Sequence, residues 1–124
     1  MIKAGEKQEH IQRLHCGPRM SKAVMHGGLV YLSGQTSSGS EAQGITEQTN
    51  EVLRRIDDLL AQAGSDRSHM LSALIHLKSM GDFDAMNQCW EAWLSGGPTP
   101  ARTTVTGSMA NDSLLVELTI VAAR

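Results

Sequence analysis

The segment Leu114–Ala122 reads Leu-Leu-Val-Glu-Leu-Thr-Ile-Val-Ala, and every second residue from its first position is apolar. Side chains alternate between the two faces of a β-strand, so a period of two predicts a strand with one apolar face. The other face is mixed, because Glu117 and Thr119 fall there beside Leu115 and Val121. We therefore expect this strand to lie in a sheet whose apolar face is covered by helices. The apolar face consists of Leu114, Val116, Leu118, Ile120 and Ala122.

Two upstream segments have the helical period that would supply this cover. The first runs from Glu47 to about Gln62, with Thr46 as its predicted N-cap and Gly64 as its predicted C-terminal cap. Its apolar residues recur every three or four positions, which is typical of a helix that buries one face. These residues are Val52, Ile56, Leu59, Leu60 and Ala63.

The second predicted helix runs from about Phe83 to Leu94. Asp82 is its predicted N-cap, and Gly96-Gly97-Pro98 ends it. Its apolar stripe is also expected to be core and consists of Phe83, Met86, Trp90, Trp93 and Leu94.

Shorter apolar runs predict the remaining strands, and Gly27-Gly28 between the first two suits a two-residue hairpin turn. The order strand, strand, helix, strand, helix, strand, strand predicts one α+β domain over residues 1–124. Both helices are expected to pack on one face of a sheet. Residues 1–14 are expected to form an N-terminal extension or an edge strand. The predicted strands are Ala23–Met25, Leu29–Gly34, Met70–Lys78, Arg102–Gly107 and Leu114–Ala122.

The sheet face away from the helices is expected to carry Glu117 and Thr119, together with Thr104 and Thr106 by alternation from Arg102. Such β-branched residues with sparse charges fit a hydrated face. They fit equally well a face that is covered by a second copy of the chain, with Arg102 and Glu117 retained for a purpose.

The composition is that of a small globular domain with few aromatic residues. Of 124 residues, 40% are hydrophobic, 19% are charged and only 3% are aromatic. These shares argue against disorder. Three of the four aromatic residues lie within Phe83–Trp93. The rest of the core must therefore be aliphatic, and neighbouring subunits would help to bury it.

The charge and hydropathy of the sequence argue against nucleic-acid and membrane partners and indicate where the protein is located. A net charge of -2 gives no electrostatic footprint for nucleic acid. No run of Lys or Arg suggests a membrane surface, and no window approaches the roughly 18 apolar residues of a membrane span. Residues 1–8 lack the apolar stretch of a signal peptide, and two cysteines are too few for a disulfide scaffold. We therefore expect a cytoplasmic protein.

No standard catalytic fingerprint is present in the sequence. His10, His15 and Cys16 cluster near the start, but their spacing fits no zinc pattern, so we expect no metal site. Cys89 is expected to be a small buried hydrophobe and not a nucleophile. His76 is expected to be a strand residue at the solvent or subunit face of the sheet.

Two charged residues have a context that calls for an explanation. Arg102 enters a strand directly after Pro100, and its planar fork suits either a surface salt bridge or a bound carboxylate or phosphate. Glu117 interrupts an otherwise neutral run, and a carboxylate there requires a partner or water. A structural ion pair and a catalytic site explain Glu117 equally well.

Together with the strand Leu29–Gln35, these residues resemble the Rid family of reactive-intermediate (enamine/imine) deaminases, also called the YjgF family. The likeness runs from about Gly17 to Ala123 in consistent order and spacing. No single piece is decisive, and the ordered set is specific to the family. The matching pieces are Gly17-Pro18, Val30–Gln35, Gln48-Thr49, Ala63-Gly64, Asp82-Phe83 with Asn87, Pro100–Arg102 and Val116–Leu118.

The resemblance implies a chorismate-mutase-like fold assembled as a homotrimer, with ligand clefts between subunits. It implies hydrolytic deamination of 2-imino or enamine acids to 2-keto acids and ammonia, with no metal or organic cofactor. Arg102 matches the carboxylate-binding arginine, and Glu117 matches the water-associated glutamate. The remaining pocket positions implied by the resemblance are Ser33, Gly34, Asn87, Thr104 and Met20.

The sequence departs from the family pattern at two of these positions. The segment Gly17–Ala23 is one residue longer than usual, and Met20 stands where the family commonly has tyrosine. Thr104 stands where many members have cysteine. The main alternative is therefore a non-catalytic trimeric protein that binds small carboxylates. A ribonuclease-like role is disfavoured by the acidic balance and the lack of stacking aromatics.

Overall fold

The computed structural model describes residues 10–124 of the chain. Its six strands form one sheet in the order β1-β2-β3-β6-β4-β5. All neighbouring strands are antiparallel except β4 and β5, which are parallel, so the sheet is mixed. The strands are β1 (Gln12–Cys16), β2 (Ser21–His26), β3 (Leu29–Leu32), β4 (Met70–Leu77), β5 (Ala101–Thr106) and β6 (Val116–Ala123).

Two α-helices, α1 (Ile45–Gln62) and α2 (Phe83–Leu94), connect strands that run in the same direction. Helix α1 joins β3 to β4, with β6 between them in the sheet, and α2 joins β4 to the neighbouring β5. Such crossover connections are right-handed, and two of them that advance in the same direction place their helices on the same face. The predicted α+β arrangement with both helices on one face is confirmed. Two short 3₁₀ helices, Arg67–His69 and Met80–Asp82, precede β4 and α2.

The predicted start of α1 is wrong by two residues, and its cap is different. The helix begins at Ile45, and its N-cap is Gly44, whose backbone is extended. Thr46 lies inside the first turn, because the amide of Gln48 already donates to the Gly44 carbonyl at 2.9 Å. The predicted end is confirmed, since Gly64 has the left-handed φ of +81° that favours glycine after a helix. Helix α2 has the predicted bounds, and Asp82 precedes it without a side-chain cap bond.

The core lies between the helices and the sheet, as the alternation in the last strand predicts. Leu114 is 4% exposed, and the four other residues of that apolar face are fully buried. The apolar stripe of α1 is buried along its whole length, from Val52 to Ala63. The stripe of α2 is buried at Met86, Trp90 and Leu94, whereas Phe83 and Trp93 are half-buried at its margin.

The hairpin between β2 and β3 turns at Gly27 and Gly28, as predicted. Both have positive φ, at 59° and 80°, which a two-residue turn of the type preferred in hairpins requires. Strand β1 pairs with β2 at one edge of the sheet and was not among the predicted strands. Of the residues 1–14 expected as an extension or edge strand, 12–14 belong to β1, and 1–9 lie outside the described residues.

The open face of the sheet, the one away from the helices, is partly apolar. Tyr31, Leu74 and Val105 point to this face and are exposed by 45%, 38% and 36%. Glu117 and Thr119 also lie on it, as predicted, because their neighbours in β6 are buried under the helices. Neither helix in residues 10–124 is long and apolar enough to cross a membrane.

The prediction that Arg102, Thr104 and Thr106 share this open face is wrong. In the parallel register of β4 and β5, Arg102 lies beside Ala73, which is 3% exposed and packs under the helices. Adjacent residues in register point to the same side, so Arg102, Thr104 and Thr106 lie on the helix side of the sheet. Alternation within β5 correctly grouped the three residues, and pairing with β4 decided which face they occupy.

Candidate functional site

Arg102 lies against the aromatic residues of α2. Its guanidinium carbon is 5.7 Å from the ring centroid of Phe83 and 5.7 Å from that of Trp90. Both distances are within the range of cation–π contacts, so the guanidinium interacts with two rings of α2. Within residues 10–124 Arg102 has no hydrogen-bond or ion-pair partner. Its N–H donors are therefore available for an anion, and the planar fork suits a carboxylate.

Two buried polar atoms beside Arg102 also lack partners. Asn87 lies between Phe83 and Trp90 on the same face of α2, and Thr104 lies two residues after Arg102 on the same face of β5. Asn87 Oδ1 and Thr104 Oγ1 are buried, and neither forms a hydrogen bond. An unsatisfied buried polar atom costs roughly 1–3 kcal/mol, which a bound ligand with donor groups would offset. We name these residues the arginine cluster: Phe83, Asn87, Trp90, Arg102 and Thr104.

A second group of residues forms where Glu117 of β6 lies beside Gly34, which follows the end of β3. A Cβ atom on Gly34 would fall 1.9 Å from Glu117 Oε2 and 2.9 Å from its Cδ. Only a glycine at position 34 leaves room for the Glu117 carboxylate to approach the backbone this closely. Within the described part of the chain Glu117 has no hydrogen-bond or ion-pair partner either.

Ser33 is held beside Gly34 by its neighbours. Its amide and its hydroxyl donate to the Lys22 carbonyl at 2.9 and 3.3 Å. The side-chain Nε2 of the buried Gln35 donates to the Ser33 carbonyl at 3.1 Å and to the Ser33 hydroxyl at 3.2 Å. This network fixes the strand end against which Glu117 lies. We name Ser33, Gly34 and Glu117 the glutamate cluster.

The two clusters do not form one site within a single chain. Glu117 is level with His76 in β4 and Val105 in β5, and Arg102 lies three residues before Val105. With about 4.8 Å between strands and about 3.3 Å per residue, the α-carbons of Arg102 and Glu117 are about 14 Å apart. Their side chains also leave opposite faces of the sheet. Strand β5 is an edge strand, so the arginine cluster borders surface that a second chain can reach.

The other residues singled out from the sequence lie apart from these clusters or at their border. Met20 is 51% exposed in the turn before β2, where its carbonyl accepts from the Gly17 amide at 2.8 Å. Cys89 is buried, as predicted, and Cys16 is exposed. His76 is half-buried on the open face, in register with Glu117. Among residues 10–124, no group of three or more His, Cys, Asp or Glu side chains could hold a metal ion.

The apolar pattern of α2 predicts Phe83 and Trp90 as core residues and does not indicate their contact with Arg102. Trp90 is indeed 5% exposed, yet its ring also contacts Arg102. The signal was present in the spacing, since residues 83, 87 and 90 recur at helical intervals and fall on one face of α2. The proximity of Arg102 to that face follows only from the packing of α2 on β5.

Comparison with known proteins agrees with this architecture. The sequence profile of the family described as Endoribonuclease L-PSP matches residues 11–124. A RutC family protein of Haemophilus influenzae is 39% identical over 112 residues, which cover 90% of this chain and 97% of the relative. The crystal structure of a YjgF family protein from Neisseria meningitidis superposes with a TM-score of 0.89 at 40% identity, covering 94% of this chain and 97% of that one.

A third similar structure is described as a member of the Rid family, the family that the sequence resembles. The crystal structure of a Rid family protein of unknown function from Yersinia pestis has a TM-score of 0.81 at 27% identity and covers 88% of this chain and 90% of that chain. These likenesses span nearly the whole chain and confirm both the resemblance stated above and the α+β fold. The chain belongs to the Endoribonuclease L-PSP family, that of the YjgF and RutC proteins.

Proposed function

We propose that this protein hydrolyses reactive 2-imino acids, and the enamines in equilibrium with them, to 2-keto acids and ammonia. The observation that carries the proposal is the Arg102 guanidinium, which contacts two aromatic rings and has no anionic partner among residues 10–124. Family membership supports it, because the sequence resembles the deaminases of this family. A location in the cytoplasm stays a prediction from the sequence.

Arg102 binds the carboxylate of the substrate in this proposal. A bidentate pair between a guanidinium and a carboxylate fixes both the position and the plane of the substrate. The rings of Phe83 and Trp90 limit the motion of the guanidinium before the substrate arrives, which lowers the entropy lost on binding. The partnerless Asn87 Oδ1 and Thr104 Oγ1 would then accept from the imine nitrogen or from a bound water.

Glu117 acts on the attacking water. Water adds to the imine carbon while Glu117 accepts one of its protons, and the C=N bond becomes a single bond to nitrogen. That proton passes to nitrogen and gives a carbinolamine. Glu117 then transfers the hydroxyl proton to the same nitrogen, so the C–N bond breaks and ammonia leaves as the C=O bond of the 2-keto acid forms. Oxygen and both hydrogens come from one water molecule, so the reaction requires no cofactor.

The separation of the two clusters implies that the working site is shared between chains. Arg102 is at the edge strand β5, and Glu117 is on the open face, where Tyr31, Leu74 and Val105 are exposed. A second copy that covers the open face would bring its own Arg102 to the Glu117 of the first. We propose a homotrimer, in which three such contacts close into a ring and give three equivalent clefts.

Complementation between variants tests the shared cleft. Arg102→Ala and Glu117→Gln are each expected to reduce imine hydrolysis by at least about tenfold, whereas the exposed Arg54→Ala leaves it unchanged. Co-expression of the two inactive chains should restore about one quarter of wild-type activity, because random assembly pairs intact residues across that fraction of clefts. Loss of imine, generated in situ from an amino acid by an oxidase, is the measurement.

Two outcomes contradict parts of the proposal. If mixed assemblies stay inactive while both single variants are folded and trimeric, the two residues do not act across a subunit contact. If the wild type is no faster than buffer on several imines, the protein is not a deaminase. Calorimetry with 2-ketobutyrate then distinguishes the alternative, a carboxylate-binding protein without turnover, in which binding is retained and Arg102→Ala abolishes it.

A further inference from the structure

An apolar cleft of about 350 Å³ opens beside the arginine cluster, between the C-terminal half of α2 and the segment that leads into β5. Its volume is at the lower end of the range of small-molecule sites, which is roughly 300–1,000 Å³. The residues that line it are Trp90, Glu91, Leu94, Gly96, Gly97 and Thr99.

The cleft and the arginine cluster share one residue, Trp90. The ring of Trp90 contacts Arg102 and also lines the cleft. Leu94 follows Trp90 by four residues, so the stripe of α2 that carries Phe83 and Asn87 extends directly into the cleft wall. On the opposite side, Thr99 lines the cleft and precedes Arg102 by only three residues. A ligand held at Arg102 therefore has the cleft as its neighbour.

The chemistry of the cleft favours an apolar group. Trp90 and Leu94 present apolar walls and are only 5% and 9% exposed. Gly96 and Gly97 add no side chains, so the space between α2 and β5 stays open. The polar groups are at the rim, where Glu91 would repel a second carboxylate of a ligand.

We infer that this cleft receives the side chain of the substrate, so that the preferred substrates are 2-imino acids with branched or aromatic apolar side chains. The inference rests on the proposed function, since it takes the carboxylate to be bound at Arg102. Each additional methylene that an apolar pocket buries favours the larger substrate by about tenfold or more. Imines with short side chains, such as that of alanine, would leave the cleft empty.

A panel of imines tests the inference. We expect kcat/KM for the imines of leucine and phenylalanine to exceed that for the imine of alanine by at least about tenfold. The imine of glutamate should be the poorest, because Glu91 repels its side chain. Equal kcat/KM across the panel, or a preference for the imine of lysine, would overturn the inference.

A variant whose new side chain fills the cleft tests the same inference from the side of the protein. Thr99 is exposed at the cleft wall, so Thr99→Phe is expected to place a ring in the cleft without disturbing the core. We expect it to lower kcat/KM for the leucine imine by about tenfold and to leave the alanine imine within about twofold. Gln62→Phe, on the exposed end of α1, should change neither. A Thr99→Phe variant that slows all imines equally contradicts the inference.

Equilibrium binding separates failure of the inference from failure of the proposed function. Calorimetry is expected to give a dissociation constant for 4-methyl-2-oxopentanoate at least about tenfold below that for pyruvate, with the difference lost in Thr99→Phe. If the protein hydrolyses imines but binds the two keto acids equally, the side-chain cleft is wrong and the deaminase stands. If no imine is hydrolysed and no keto acid binds, both are wrong.

Discussion

The Glu117 carboxylate occupies the space where a side chain on residue 34 would begin, so only glycine fits at that position. In Gly34→Ala, the new Cβ would meet Glu117 Oε2 at 1.9 Å, so the carboxylate must move away. The end of a flexible side chain can do so without disturbing the sheet, and we expect a loss of about 1 kcal/mol in stability. We also expect a loss of imine hydrolysis as large as that of Glu117→Gln.

A double-mutant cycle measures this contact without reference to activity. In the Glu117→Ala background the clash is absent, so Gly34→Ala is expected to leave the urea unfolding midpoint unchanged. Gly107→Ala is the control, because its Cβ would meet only His76 Cδ2 at an ordinary 3.8 Å. Equal effects of Gly34→Ala in both backgrounds would show that the glycine is required for another reason.

Glu51 should make part of the stability dependent on acid pH. Hydrogen bonds from Arg54 and then Arg55 lower the pKa of Glu51 from 4.5 to about 2. Because the folded-state pKa is the lower one, the ionised carboxylate stabilises the fold above about pH 4.5, and this contribution is lost as the pH falls towards about 2.

Wild type is therefore expected to be more stable than Glu51→Gln at neutral pH, with the difference closing between pH 4.5 and about 2. Urea midpoints measured across this range at constant protein concentration test the expectation. Glu91→Gln, at an exposed glutamate of α2, serves as the control. A gap between wild type and Glu51→Gln that is constant with pH contradicts the assignment.

The chemistry of single residues was predictable where their type conflicted with the surroundings. Arg102 after Pro100 and Glu117 in an apolar strand both stand out in the sequence, and within residues 10–124 neither has a hydrogen-bond or ion-pair partner. The contact of Trp90 with Arg102 was not predictable, because a tryptophan in an apolar helical stripe has the pattern of any core residue.

At the scale of elements, Arg67 joins three segments that are distant in sequence. Its guanidinium donates to the Asp57 carboxylate of α1, from Nε at 3.1 Å, and to the Trp93 carbonyl of α2. Trp93 Nε1 donates to the same carboxylate at 2.9 Å, and the guanidinium lies 4.8 Å from the centroid of the Trp93 ring. This cluster ties α1 to α2 at the end of the helix pair.

Loss of that connection should destabilise the fold more than loss of a surface ion pair. We expect Arg67→Met to lower the free energy of unfolding by about 1–2 kcal/mol, because a half-buried carboxylate loses charged donors. Arg54→Met is the matched control. Its ion pairs with Glu51 and Asp58 lie within α1 on an exposed side chain, where solvent screens them, so we expect a smaller loss. If urea titrations show that Arg67→Met and Arg54→Met lower the free energy of unfolding equally, the contacts of Arg67 do not stabilise the packing of α1 on α2.

Element prediction succeeded where one periodic pattern dominated. The helical stripes of α1 and α2 and the alternation in β6 placed these elements within two residues of their ends. For residues 1–14 an edge strand was one of two predicted alternatives, and its bounds could not be predicted, because Leu14 is the one apolar residue of β1 and the other four are polar or cysteine. An edge strand with little to bury forms by pairing with its neighbour, here β2, and such pairing leaves no periodic signal.

For the whole molecule, the open face of the sheet sets the expected assembly. A charge among its exposed apolar residues should prevent a second copy from covering it, so Leu74→Asp is expected to convert an assembly of three 13.4 kDa chains into single chains. Imine hydrolysis should be lost together with the assembly, because the two clusters then lie in separate molecules. Light scattering with size exclusion measures the mass.

Ser38→Asp is the control for that variant, because it adds the same charge at an exposed turn position outside the strands. It should remain trimeric and active. A wild-type mass of one chain would overturn the shared cleft, and an active Leu74→Asp monomer would show that one chain holds a complete site.

The sequence alone determined which residues are buried together. In Leu114–Ala122 a period of two matches the pleat of a strand, and hydrophobic burial then leaves one face for the core, which is the face the structure buries. Local patterns of this kind set helices, strands and their apolar sides because each depends on neighbouring residues only.

The tertiary structure decided where the functional residues lie relative to one another. Alternation grouped Arg102 with Thr104, but only the parallel pairing of β5 with β4 turned them towards α2 and away from Glu117. That pairing depends on the handed crossover through α2, a long-range property that no short segment encodes. The same packing that separates Arg102 from Glu117 in one chain leaves each without an ion-pair partner in the part of the chain that the structure describes.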